Sequence, residues 1–140
     1  PFLDDPTTIA AMAAKARHAT YIVSQICYDA TTIRDWVAAV RARGIGLPIH
    51  LGLPGVIDRR RLIALSLRVG LGDSVRYLTK QSETAAHLVA GYRPDALVHE
   101  LADLLVDPDG VSGWHLFTFN EVGRTDDWRR SLLAAQEVAE

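Results

Sequence analysis

Gln25 interrupts an otherwise β-branched and aromatic run, TYIVSQICY, at residues 20–28. The glutamine amide carries two donors and an acceptor, the set that the edge of a pteridine, flavin or nucleobase requires. An amide near the end of an apolar strand loses water and must regain hydrogen bonds, at a cost of about 1–3 kcal/mol if it fails. Binding a ligand and pairing with neighbouring backbone are equally good outlets for it on residue chemistry alone. Cys27, the one cysteine of the chain, has no cation beside it in sequence and reads as an inert core thiol.

Other chemistry-bearing residues are weighed against plainer roles. His18, His50, His87, His99 and His115 lack ligand spacing. Core or rim positions therefore outweigh a metal shared by His50 and His115, and no metal site is expected. Arg59, Arg60 and Arg61 open a helix, where the macrodipole disfavours cations; a solvated face outweighs anion or partner binding. GIGLP at 44–48 and GLGDS at 70–74 suit helix ends better than phosphate loops. The standard nucleotide, hydrolase and zinc-protease motifs are absent.

These residues need a scaffold, and 140 residues at 49% hydrophobic and 23% charged are enough for one domain with a core. A net charge of −2 gives no general pull toward nucleic acid or an anionic membrane. No apolar stretch approaches membrane-spanning length and no secretory leader is visible, so no membrane partner is expected. The single thiol suits a reducing cytoplasm. The chain begins on Pro1 in a loop-like segment, which predicts a piece of a longer protein.

The patterning predicts helices over 5–18, 31–43, 58–69 and 125–139. It also predicts a short helix VRYLTKQ after GLGDS, and a helix over 82–105 broken near GYRP. Strands are predicted at 20–28, 47–56 and 114–121, with a turn at 107–113. Asp29 should cap the second helix, and Gly44 should end it in a left-handed conformation. Strands separated by helices imply right-handed βαβ units and a parallel sheet. Three strands are few for such a fold, so the others should precede Pro1. Chemistry then belongs at the strand C-termini: Gln25–Asp29, Gly52–Asp58 and Thr118–Glu121.

Those three strand ends resemble the methylenetetrahydrofolate reductase family. SQICYD at 24–29, GIGLPIHLGLPGV at 44–56 and GWHLFTFNE at 113–121 are similar, in order and spacing, to three of its motifs. The resemblance covers nearly the whole chain. It implies the C-terminal portion of a (βα)8 TIM barrel, strands six to eight, as a single partial domain over 1–140. It implies NAD(P)H-dependent reduction of methylenetetrahydrofolate to methyltetrahydrofolate, with Gln25 hydrogen-bonded to the pterin. Tyr28, Arg61, Leu65 and Phe119 are the other substrate-binding positions it assigns; Arg61 and Leu65 stand where the family carries Gln and Phe, and Arg61 could instead hold a folate carboxylate or a cofactor phosphate by charge-assisted bonds. Lys15 is its cofactor-binding position, with FAD between NAD(P)H and folate. Alanines replace other flavin-contacting positions of the family, so hydride could instead pass directly from NAD(P)H. Glu121 stands where the family carries Arg, and Phe119 where it carries Leu.

The family's acid lies outside this chain, so no catalytic residue is assigned and the chain alone is expected to be inactive. Its open edges would be covered by a homo-oligomer or by the missing half. Methyl transfer on the same barrel, or a non-catalytic self-associating half-barrel, are the competing expectations.

Overall fold

The structure is a computed structural model that describes residues 6–68 and 91–137. The architecture is mixed α/β. In chain order the helices and strands are α1 (Pro6–Lys15), β1 (Ile22–Val23), α2 (Ala30–Ala42), β2 (Ile49–Pro54), α3 (Arg59–Arg68), α4 (Asp95–Glu100), β3 (Gly113–Phe117) and α5 (Val122–Glu137). Short 3-10 turns follow α1 and α4, at Ala16–His18 and Ala102–Leu105. The strands form a small parallel sheet in the order β1-β2-β3, with Ile22 opposite Ile49 and Val23 opposite His50. No helix among the described residues is long and apolar enough to cross a membrane. GLGDS, VRYLTKQ and the first part of the expected 82–105 helix lie outside the described residues.

The chain folds as two compact units, Pro1–Leu53 with Asp95–His115, and Pro54–Pro94 with Leu116–Glu140. In the first unit, α2 buries Ile33, Val37 and Val40, the i, i+4, i+7 stripe of an amphipathic helix. Asp29 caps it from extended backbone: its carboxylate accepts from the Thr31 amide at 3.3 Å and the Thr32 hydroxyl at 2.6 Å. The far end is a Schellman motif, with Gly44 at φ 71° donating to the Arg41 carbonyl and Ile45 donating to that of Val40. Ile49, Leu51 and Leu53 of β2 and Leu97, Val98, Leu101, Leu104 and Val111 complete this core.

Arg41 ties the loops of this unit together. Its guanidinium donates to the carbonyls of Ile45, Leu47, Asp109 and Gly110 at 2.7–2.9 Å. About two turns earlier on α2, Arg34 makes a two-pronged pair with Asp103 at 2.6 and 2.8 Å and donates to the Glu100 carbonyl.

β1 is far shorter than the 20–28 run predicts. Ile22 and Ser24 donate to the carbonyls of Pro48 and His50, as in a regular ladder. The Ser24 hydroxyl then takes the Gly52 amide at 2.9 Å, Gln25 Oε1 takes the Ile26 amide at 3.0 Å, and Cys27 rather than Ile26 donates to the Gly52 carbonyl. Two polar side chains have replaced ladder partners and one extra residue is accommodated, which is a bulge.

In the second unit, α3 buries Leu62 and α5 buries Thr125 and Trp128, together with Val56 and Ile57. Ile57 and Tyr92 exchange two backbone hydrogen bonds in an antiparallel bridge. The strand expected over 114–121 stops at Phe117. Phe119 and Asn120 have φ of 51° and 69°, and Glu121 donates to the Thr118 carbonyl at 2.8 Å. Two left-handed central residues closed by that bond make a type I′ turn, which ends the strand and opens α5.

Candidate functional site

The bulge decides where the Gln25 side chain goes. Gln25 is exposed, not buried as its apolar surroundings imply. Its Oε1 is spent on the Ile26 amide, while Nε2 has no partner among the described residues. Beside it opens an apolar cleft of about 200 Å³ in the first unit, walled by Met12, Ile33, Trp36 and Leu51, with Gln25 and Cys27 on its lining. Pockets that enclose whole ligands run to about 300–1,000 Å³, so this one can seat a ring system rather than an entire folate.

Cys27 is half-buried, and its thiol is 3.6 Å from the Asp29 carbonyl. Burial pushes the thiol up from its ordinary value, against the smaller opposing effect of that hydrogen bond. A thiol held in its protonated form is a poor nucleophile. Tyr28 is 4% exposed and belongs to the core rather than to an open surface. Lys15 is exposed in the last turn of α1. Close to it in sequence, Arg17 donates to His18. The His50 ring meets Tyr21 edge to face at 5.4 Å. Among the described residues no three His, Cys, Asp or Glu gather as a metal site.

In the second unit, Asp58 accepts from the Arg61 amide at 3.1 Å and so closes the first turn of α3. The Arg61 guanidinium donates to Glu121 Oε1 at 2.7 Å. Leu65, one turn on, is half-buried. Phe119 is half-buried in its left-handed turn. Such backbone in a bulky residue is strained and persists only where the surroundings hold it.

Behind this turn the backbone is packed tightly. Gly55 donates to the Phe117 carbonyl at 2.9 Å, and a β-carbon on Gly55 would fall 2.5 Å from Thr125 Oγ1. Thr125 is 3% exposed, and its hydroxyl has no partner among the described residues.

Gln25 and Cys27 thus share one cleft, and Arg61 meets Glu121. Lys15, Gln25 and Tyr28 belong to the first unit and Arg61, Leu65 and Phe119 to the second. Sequence reasoning overlooked Ser24, whose hydroxyl creates the bulge; a Ser beside a Gln within a β-branched run is the signal that could have revealed it. It also overlooked the pairing of Glu121 with Arg61, and for that no local signal exists across 60 residues. No family model matches the chain.

Proposed function

We propose that this chain supplies part of the folate-binding rim of a methylenetetrahydrofolate reductase-like oxidoreductase built on a (βα)8 barrel and working in the cytoplasm with NAD(P)H. One observation carries the reading: Gln25, exposed and with its Nε2 donors uncommitted among the described residues, is a lining residue of an apolar cleft at the end of a parallel strand. An apolar cleft with one convergent polar group is the usual form of a ring-binding site. In this reading Gln25 hydrogen-bonds the pterin, Arg61 holds an anionic group, and Leu65, Phe119 and Tyr28 supply apolar surface or support it.

In the last turn of α1 only Lys15 carries a donor that a flavin could use, and Arg17 and His18 beyond it are bonded to each other. Ala13 and Ala14, like Lys15 itself, are exposed on α1 and offer no donors beyond the one ammonium.

Calorimetric titration of 5-methyltetrahydrofolate into the chain tests the reading. Binding that weakens about tenfold or more in Gln25→Ala, with an unchanged circular dichroism spectrum, is expected, because a buried ligand edge left unpaired costs on the order of 1–3 kcal/mol. Absence of binding by the wild-type chain and by its complete parent would remove the reading. NAD(P)H oxidation with methylenetetrahydrofolate should be undetectable for the 140-residue chain alone.

A second reading, a non-catalytic module that self-associates, is favoured by β1. This edge of the described sheet carries Tyr21 at 56% and Val23 at 38% exposure, and Tyr21 to Val23 include no charge to discourage pairing.

A further inference from the structure

We infer that Glu121 is a resident carboxylate that competes with carboxylate-bearing ligands for Arg61, and so sets which anions the second unit binds. The inference rests on the reading of Arg61 as an anion-holding residue.

Three features lead to it. First, Arg61 lies in the first turn of α3, directly after Arg59 and Arg60. Cations there oppose the helix dipole, so the positive charge favours a nearby anion, and the Asp58 carboxylate bound to the Arg61 amide is one. Second, the anion that meets the Arg61 guanidinium also comes from the chain itself. Glu121 is the last residue of the type I′ turn whose two central residues, Phe119 and Asn120, are both left-handed. Strained backbone of this kind fixes the direction in which Glu121 leaves the turn, and it is retained where position matters.

Third, the contact is incomplete. A guanidinium and a carboxylate can form two parallel hydrogen bonds, but here only one is made, at 2.7 Å, by a single terminal nitrogen. The other guanidinium nitrogens have no partner among the described residues. The side chains remain 48% and 27% exposed, and ion pairs so accessible to water contribute little. An incoming carboxylate that grips Arg61 with both oxygens forms a stronger, two-pronged pair than the one it replaces. Glu121 then swings into solvent, and its charge repels any second anion that approaches. The unit thereby favours ligands able to make two-pronged contact over weak or single-oxygen anions.

The experiment titrates the full 140-residue chain with glutarate, a simple dicarboxylate, and with neutral glutaramide, following amide chemical shifts. Wild type, Glu121→Gln and Arg61→Gln are compared, with circular dichroism and thermal unfolding as folding controls. Glu121→Gln is expected to bind glutarate about two- to fivefold more tightly than wild type, the worth of an exposed ion pair converted to affinity. Arg61→Gln should lose glutarate binding, and glutaramide should perturb no variant.

Equal or weaker glutarate binding by Glu121→Gln, or none by either protein, overturns the inference. If Arg61→Gln does not fold, the Glu121→Gln arm decides alone. A parallel titration with 5-methyltetrahydrofolate separates this inference from the folate reading. Tighter glutarate binding without any folate binding supports the competition and removes the folate; equal glutarate affinities remove the competition even if folate binds.

Discussion

Thr125 and Gly55 form the most demanding contact between individual residues. A β-carbon at Gly55 would meet Thr125 Oγ1 at 2.5 Å, Thr125 Cγ2 at 3.0 Å and the Phe117 carbonyl at 3.3 Å. Thr125 is buried and β-branched, so it has few rotamers into which to retreat. Gly55→Ala should therefore cost about 1–3 kcal/mol by overpacking. The Gly55→Ala, Thr125→Ala double variant should lose less than the sum of the single changes, a coupling that chemical denaturation of the four proteins would measure. The unpaired Thr125 hydroxyl predicts an opposite effect. Thr125→Val keeps the shape and removes a buried group without a partner, and should raise stability by about 1 kcal/mol. Cys27 adds a pH dependence at the same scale. Burial raises its folded pKa above that of the unfolded thiol, so its contribution is fully present below the ordinary thiol value and is lost as pH rises through the folded one. Alkylation of the native chain by iodoacetamide should accordingly lag behind that of a free thiol near pH 8 and catch up on unfolding.

Among the elements, α2 shows how much of a helix can be written in its two ends. Asp29 and Gly44 announced its limits in the sequence, and the observed helix, Ala30–Ala42, carries the carboxylate cap and the Schellman motif that those residue types favour. Asp29→Ala should cost about 1 kcal/mol. Gly44→Ala should cost about 1–2 kcal/mol from backbone conformation alone, because nothing among the described residues lies within 4 Å of the added methyl; thermal unfolding of both variants would check this. α3, β2 and α5 were legible for the same reason, since local periodicity and glycine punctuation are properties of a single segment. β1 was not. Its composition is that of a strand, but the Ser24 hydroxyl and the Gln25 amide compete with backbone for the Gly52 and Ile26 amides, and no propensity records such a competition. β3 ended early because Phe119 adopts a left-handed conformation that its residue type disfavours. The candidate site was legible only as residue types. Which of them meet depends on packing between distant segments, as Arg61 with Glu121 and Arg41 with the 109–110 loop make plain.

At the scale of the whole molecule, two carboxylates among the described residues, one on the surface of each unit, are held by arginines. Arg34 holds Asp103 below the usual carboxylate range, and Arg129 with Arg130 does the same for Asp126. Depressed carboxylates contribute stability that is present above their unfolded pKa, near 4, and lost as pH falls through the folded one. Midpoints of denaturation should therefore hold level from about pH 7 to 5 and decline below about pH 4, less steeply in an Asp103→Asn, Asp126→Asn chain. Self-association, the second reading proposed above, is tested at the apolar edge of β1. Val23→Lys should shift sedimentation toward the monomer if copies pair there, since an edge lysine is a common obstacle to strand pairing. The bulge beyond Val23 leaves its own signature in deuterium uptake. The amides of Ile22 and Ser24 point into the sheet and donate to Pro48 and His50, whereas those of Tyr21 and Val23 point away from it. Isotope exchange along 21–24 should thus alternate fast, slow, fast, slow. A strand from any partner laid on this edge would slow the two fast positions and leave the other two unchanged, so four consecutive amides suffice to report whether the edge is open or covered.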